Sequence, residues 1–303
     1  MKTLSFFVLT IWSSFSLLSH AQMQQVPLNK TSDGHFEILA SINGVEAIFV
    51  LDSGATGTVI DTSKLSIFGI SKGQEIVNGV RVGDSKTGRI ETFPVEIAKF
   101  SIGKKPVDIK TIYSNNISGQ FGTKVMGIVG YDALKTLKAL LDVKNSQLLI
   151  PENTSDVLAL LDESNGAAFE TISLHQSEMG FNYIDIRLSE NHVRLLVDSG
   201  ASQTVLDQST LTQFGFKLEN HPSAKSVIDE GVELPMKVYK NGEISLGSVT
   251  LKGDFFTSDF TALMNAVNVD GEPQLIGILG NQQLIQLNSI VDFGNAKLHI
   301  KNY

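Results

Sequence analysis

VLDSGATGTVID (residues 50–61) returns 146 positions later as LVDSGASQTVLD (196–207). Over the last eleven columns, Leu51–Asp61 against Val197–Asp207, seven residues are identical: Asp, Ser, Gly, Ala, Thr, Val and Asp. The correspondence runs without a gap back to Val26 over Ile172 and forward to Phe68-Gly69 over Phe214-Gly215. A second match follows at an offset of 150, with MGIVGYDAL (126–134) over IGILGNQQL (276–284) and LDVKNSQLLI (141–150) over VDFGNAKLHI (291–300). A period this long does not belong to a solenoid; it marks a duplicated domain. The expected layout is a leader over 1–21, a first lobe over 22–151, a connector over 152–171 and a second lobe over 172–303.

Each half reads as β. Ile38, Ala40 and Ile42 alternate with Glu37, Leu39 and Ser41 before a nearly continuous apolar run from Val45 to Leu51. Ile184, Ile186 and Leu188 alternate in the same way before Val193 to Val197. Alternation predicts a half-buried strand, and a short apolar run ending in Asp-Ser-Gly predicts a buried one. Gly103 and Gly247 sit where hairpin turns are expected, and helix is expected only over Asp132–Leu141 and Gln282–Leu287. The fold class is therefore all-β: two small barrel-like lobes with short helices.

Composition removes much chemistry. The 303 residues are 42% hydrophobic and 18% charged, as in a packed globular chain. The net charge of −8 comes without a Lys/Arg cluster, so no nucleic-acid partner is expected. Cysteine is absent, which excludes disulfides, thiolate metal sites and thiol nucleophiles. The six histidines are scattered with no paired spacing, so no metal site is expected. Neither a G-x-S-x-G elbow nor a phosphate-binding GK[ST] loop is present. Lys2, the apolar stretch Leu4 to Leu18 and Ser19-His20-Ala21 read as a secretory signal peptide. An exported chain without cysteine fits a bacterial periplasm or exterior, with no stable membrane insertion once the leader is removed.

What remains is a pair of carboxylates, Asp52 and Asp198, at equivalent places in the repeat. If two lobes pack about an approximate twofold axis, equivalent residues near that axis meet face to face. Two carboxylates that meet cannot both ionise cheaply, so they share a proton and titrate as a pair. The anionic member can take a proton from a water while the neutral member donates to a carbonyl oxygen. Gly54 and Gly200 let the backbone approach closely, so that amide N–H groups aim at the carboxylates. Ser53 and Ser199 are placed to hydrogen-bond across the axis.

These residues resemble the active-site loops of the retropepsin-like aspartic proteases, in which two apolar residues precede Asp-Ser/Thr-Gly-Ala. GIVGYDAL and GILGNQQL resemble the apolar-apolar-Gly segment that crosses behind that loop, followed by its short helix. The resemblance covers about 26–150 and 172–302, and it implies the acid-protease fold, with two retropepsin-like lobes related by a pseudo-twofold axis. It further implies an aspartic endopeptidase acting on polypeptides, with Asp52 and Asp198 as catalytic acids and no metal or organic cofactor. Ser53, Gly54, Ser199 and Gly200 would support the catalytic loops, and the segments at Gly130 and Gly280 would brace them from behind. Retroviral members carry one such half per chain and dimerise; two halves in one chain imply a monomer.

Two departures matter. Ala55 and Ala201 stand where pepsin-like enzymes place a hydroxyl, so the dyad is expected to titrate higher than in pepsin. No motif marks the flap over the cleft; the candidates are Val80–Thr92, around Gly83-Asp84 and Gly88, and Val227–Met236, around Asp229-Glu230-Gly231. Substrate-binding residues are not readable. The competing reading is a non-catalytic periplasmic protein that captures peptides in a protease-like cleft.

Overall fold

The computed structural model describes residues 23–73, 77–80, 89–117, 120–162, 169–177, 180–228, 232–268 and 272–301. The expected signal peptide lies outside them, as do both flap-candidate tips, 81–88 and 229–231. The chain is mostly β and two-lobed. A ten-stranded sheet belongs to the first half, an eight-stranded sheet to the second, and a six-stranded sheet joins them.

The alternation read from the sequence is the burial pattern observed. In strand Phe36–Ile42 the buried positions are Phe36, Ile38, Ala40 and Ile42, and in Asn182–Leu188 they are Asn182, Ile184, Ile186 and Leu188. Strand Phe36–Ile42 turns into Val45–Leu51 through Asn43 and Gly44, with φ of 51° and 85°. Two successive positive φ values define the tight turn that matches strand twist, and Asn-Gly adopts it at least cost.

One topological feature decides where the Asp-Ser-Gly loops go. Strand Val125–Val129 lies between Val45–Leu51, to which it is parallel, and Val59–Asp61, to which it is antiparallel. Residues 52–58 therefore cannot form a simple hairpin and must loop over the end of the inserted strand. Leu275–Leu279 does the same between Asn191–Val197 and Val205–Asp207. The sequence of each inserted strand explains the fit: Gly127 and Gly277 face backbone so closely that an added Cβ would lie 2.1 Å from Val59 O and 2.4 Å from Val205 O.

The joining sheet runs Met23–Pro27, Gln147–Pro151, Leu140–Asp142, Ser289–Asp292, Lys297–Lys301, Phe169–Ser173. This order is its own mirror under the repeat. The central pair Leu140–Asp142 and Ser289–Asp292 is antiparallel, with Leu141 opposite Val291, its own repeat equivalent. The pseudo-twofold axis therefore passes between those two residues. Leu141, Leu148, Val291 and Leu298 face the main core, while Leu140, Leu149 and Ile290 face the other way onto Val157.

The helices depart from expectation. The first is Tyr131–Thr136 rather than Asp132–Leu141, because the chain closes it at Leu137, takes φ of 49° at Lys138 and starts a strand at Leu140. The second is Asn281–Gln286. Thr154–Asp162, inside the expected connector, is also helical; Asp156 accepts from the N–H groups of Glu152 and Asn153, and Val157 packs on the joining sheet. Gln208–Gln213 and Thr261–Val267 form two more short helices, and Thr62–Phe68 is a 3₁₀ turn. The turns at Gly103 and Gly247 occur where expected, with φ of 57° and 58°. Both flap candidates begin as hairpins: Val77–Val80 pairs with Arg89–Glu96, and Glu219–Ile228 pairs with Val232–Leu246.

Two equivalent aspartates hold the corners of the joining sheet. Asp142 accepts from Asn145 N, Asn145 Nδ2 and Gln147 Nε2; Asp292 accepts from Asn295 N at 2.9 Å and Asn295 Nδ2 at 2.7 Å. His299 Nε2 lies 3.7 Å from Asp292 Oδ2, and both residues are buried. Burial pushes the Asp292 carboxyl up, but the His299 and Asn295 contacts outweigh it and leave it below the usual carboxylate range. A depressed carboxyl stabilises the fold in full above its unfolded-state value of about 3.9 and loses that contribution as pH falls through the lower folded-state value. Asp292→Asn is accordingly expected to cost about 1–3 kcal/mol near pH 6, with the gap to wild type closing below about pH 4. Paired urea melts across pH 2–7 measure it.

Candidate active site

The two Asp-Ser-Gly loops meet at the upper end of the pseudo-twofold axis. The contacts between them are reciprocal. Ser53 N donates to Ser199 Oγ at 2.9 Å, and Ser199 N donates to Ser53 Oγ at 2.9 Å. Each hydroxyl then donates onward to the other half, Ser53 Oγ to Val197 O at 3.0 Å and Ser199 Oγ to Leu51 O at 3.1 Å. Both serines are buried, at 3% and 0% exposure, so the crossed bonds are made away from solvent.

The carboxylates flank that crossing. Asp52 Oδ1 accepts from Gly54 N at 2.8 Å and Ala55 N at 3.0 Å; Asp198 Oδ1 accepts from Gly200 N at 2.7 Å. Asp198 is buried and lies beside Asp52, which is only half-buried. Burial, with the adjacent Asp52 charge second, raises the Asp198 carboxyl well above the ordinary range. Gly54 and Gly200 are needed for a reason the sequence does not reveal. A Cβ on Gly54 would stand 2.5 Å from Asp198 Cγ, and one on Gly200 would stand 2.3 Å from Asp52 Cγ. Each glycine makes room for the carboxylate of the other half.

The loops are braced from below, as the resemblance implied. Asp52 N donates to Val129 O at 3.0 Å and Asp198 N to Leu279 O at 3.1 Å. Gly130 N and Gly280 N donate to the hydroxyls of Thr58 and Thr204 at 3.2 and 3.1 Å. Tyr131 N and Asn281 N donate to Ala55 O and Ala201 O, both at 2.8 Å. A Cβ at Gly130 or Gly280 would approach the loop carbonyl of Gly57 or Gln203 to 2.4 Å. Among the residues the sequence reading did not single out, Thr58 also donates to Asp132 Oδ1 at 2.7 Å; burial raises the Asp132 carboxyl against this bond. The identity of Thr58 and Thr204 in the repeat was an available signal for this brace.

Each half also reaches across. The turn at Gly34 packs on Ser202 and the turn at Gly180 packs on Thr56, positions equivalent under the repeat. Asn281 Nδ2 spans the junction, donating to Gly34 O at 3.0 Å and Ser199 O at 2.8 Å. The repeat gives no hint of this bond, because Tyr131 occupies the matching position.

Two apolar clusters begin at the residues beside the dyad. Ala55, Val59, Ile117 and Ile128 form one with Tyr113 and Phe121. Ala201, Val205, Phe260 and Ile278 form the other, with Phe181 and Met264 among its neighbours. Among the described residues no group of three or more His, Asp or Glu side chains is placed to hold a metal ion. No described helix is long and apolar enough to cross a membrane.

The aspartyl protease family model matches residues 38–133 and again residues 184–282, one match in each half and more than half of the chain together. The protein is a member of the aspartyl protease family, with two retropepsin-like halves in one chain. No curated protein matches the sequence.

The crossed hydroxyls make a direct test. Ser53→Ala strands the Ser199 N–H and the Val197 carbonyl in a dry interface, and Ser199→Ala does the converse. Each substitution is expected to cost about 2–4 kcal/mol, since buried polar groups left unpaired lose about 1–3 kcal/mol apiece. Ser→Thr, which keeps the hydroxyl, is expected to retain most of that stability. Urea denaturation of the four variants checks both statements.

Proposed function

We propose that the protein is an aspartic endopeptidase in which Asp52 and Asp198 activate a water between them for attack on a peptide carbonyl. The observation that carries this reading is the meeting of two repeat-equivalent carboxyls across the axis, one of them raised by burial and by the other's charge. Asp198 then holds the shared proton at weakly acidic pH and donates it to the carbonyl oxygen as the tetrahedral centre forms. Asp52, more open to solvent, takes a proton from the attacking water. The amide then breaks as Asp52 passes its proton to the nitrogen while Asp198 takes one back from a hydroxyl of the collapsing tetrahedral centre, so the pair returns to one proton shared between two oxygens.

The same reading supplies a substrate class. Polypeptide chains present carbonyls flanked by side chains, and the dyad is flanked by two apolar clusters. Cleavage between apolar residues follows from burying those side chains beside the reacting carbonyl. Because the crossed serines join loops of one chain, the working unit is a monomer. The leader at the N-terminus supports export before the enzyme works, in a periplasm or outside the cell.

Asp52→Asn and Asp198→Asn are each expected to lower kcat/KM by at least about a thousandfold with the fold intact, because residues acting as a unit fail together. The pH–rate profile is expected to be bell-shaped with its maximum at roughly pH 4–6, reporting the macroscopic values of the pair. Digestion of a denatured protein mixture over pH 3–8, read by mass spectrometry, tests both. Wild-type turnover in either variant, or an optimum above pH 8, overturns the dyad. Binding of peptides without cleavage establishes the peptide-capturing protein instead. Mixing the two separately folded variants is expected to restore nothing; recovered activity overturns the monomer.

A further inference from the structure

The repeat preserves a second aspartate in each half, nine residues beyond the first, and the dyad makes no use of it. Asp61 and Asp207 end equivalent strands and are buried at 1% and 0% exposure. In both, the two carboxylate oxygens have different duties. One oxygen faces the following helical turn: Asp61 Oδ1 accepts from Ser63 N at 2.8 Å, and Asp207 Oδ2 accepts from Thr210 N at 2.7 Å and Thr210 Oγ1 at 2.8 Å. The other oxygen faces a segment more than fifty residues away. Asp61 Oδ2 accepts from Ile117 N at 3.1 Å, and Asp207 Oδ1 accepts from Phe260 N at 2.9 Å.

Ile117 and Phe260 are buried members of the two apolar clusters beside the dyad. Ile117 packs with Val59 and Ile128 and is followed by Phe121; Phe260 packs with Ile278 and opens the helix Thr261–Val267 that brings Met264. The same Thr210 hydroxyl that binds Asp207 lies 3.9 Å from Met264 Sδ. Each carboxylate thus ties a member of the apolar cluster beside the dyad to the strand that leaves the Asp-Ser-Gly loop.

We propose that Asp61 and Asp207 are positioning residues that each hold one apolar wall beside the dyad, and so set side-chain selectivity on opposite sides of the scissile bond. The inference rests on the endopeptidase reading above. The walls they hold are unequal, with Ile117 and Phe121 in the first half and a helix carrying Met264 in the second. The two sides therefore select differently.

Asparagine separates the two duties. It has one acceptor oxygen and an NH₂ in place of the second, and because the helix side presents two or three donors against one on the wall side, the oxygen of Asp61→Asn and Asp207→Asn stays with the helix and the wall-side bond is lost. Ser63→Ala and Ser209→Ala remove a hydroxyl that donates only to the helix-side oxygen and leave the wall untouched. The four variants and wild type are assayed by cleavage-site profiling on a peptide library, alongside amide hydrogen exchange at Ile117 and Phe260.

Asp61→Asn is expected to accelerate exchange at Ile117 and to lower kcat/KM about tenfold for peptides with a bulky apolar residue on one side of the cleaved bond. Asp207→Asn is expected to do the same at Phe260 and on the other side. The serine variants are expected to leave both exchange and selectivity unchanged. Unaltered exchange, unaltered selectivity, loss on the same side in both aspartate variants, or reproduction of the effect by the serine variants overturns the proposal while wild-type cleavage stands. A wild type that cleaves nothing in the library overturns the endopeptidase reading itself, and the selectivity role falls with it.

Discussion

Four hydrogen bonds made by two buried serines hold the two halves of the site in register. Each hydroxyl accepts the opposite N–H and donates to the opposite carbonyl, so neither loop can shift without stranding polar groups where water does not reach. The constraint is symmetric because the loops are repeats, and it fixes the carboxylates because each aspartate is bonded to the serine that crosses. With the aspartates brought face to face in that way, the only side chain that fits at the next position is none at all. Gly54 and Gly200 are consequences of the crossing, and their φ values are not in the left-handed region; it is the opposite carboxylate that excludes a Cβ.

The same axis is defined a second time at the far end of the molecule, where Leu141 pairs with Val291. A line through that pair and the serine crossing runs the length of the junction. Sheet pairing holds one end and the loops hold the other. Two fixed ends suit the chemistry proposed above. Electrostatic preorganisation requires donors and charges that do not rearrange during reaction, and the Asp52 and Asp198 carboxylates each receive backbone N–H bonds that the braced loops keep aimed.

Much of this was legible in the sequence, and the reason is the duplication. An identical column in two halves removes most chance explanations, so Asp52, Ser53 and Gly54 with their partners could be read from spacing alone. The strands were legible because half-buried alternation is a local property. Helix ends were not: Asp132–Leu141 looks uniformly helical, yet Leu140 and Leu141 are taken by the joining sheet, a tertiary demand that overrides local propensity. Thr154–Asp162 hid in a polar connector because its one buried apolar residue, Val157, gains its partners only from the sheet it covers. Asp61 and Asp207 stood in the identical columns from the start. Their contacts with Ile117 and Phe260 span 56 and 53 residues, a distance at which pattern says nothing about who meets whom.

Where the halves differ is as informative as where they agree. The crossing, the glycines and the brace from Thr58 or Thr204 are common to both, and all lie at or beneath the dyad. The departures lie around its rim. Asn281 bridges to the first half where Tyr131 does not bridge back, His35 stands edge-on to Phe121 where Phe181 joins an apolar cluster, and the helix Thr261–Val267 follows Phe260. A chain that duplicates frees each copy from serving both sides of a symmetric site, but only for positions whose role is not itself symmetric. The serine crossing is reciprocal by construction, since each loop supplies what the other accepts, so the symmetry persists there. A peptide, by contrast, runs in one direction and presents different side chains before and after the bond to be cut. On the endopeptidase reading proposed above, residues that meet such a chain are under no pressure to match, and that accounts for differences gathered around the dyad rather than beneath it.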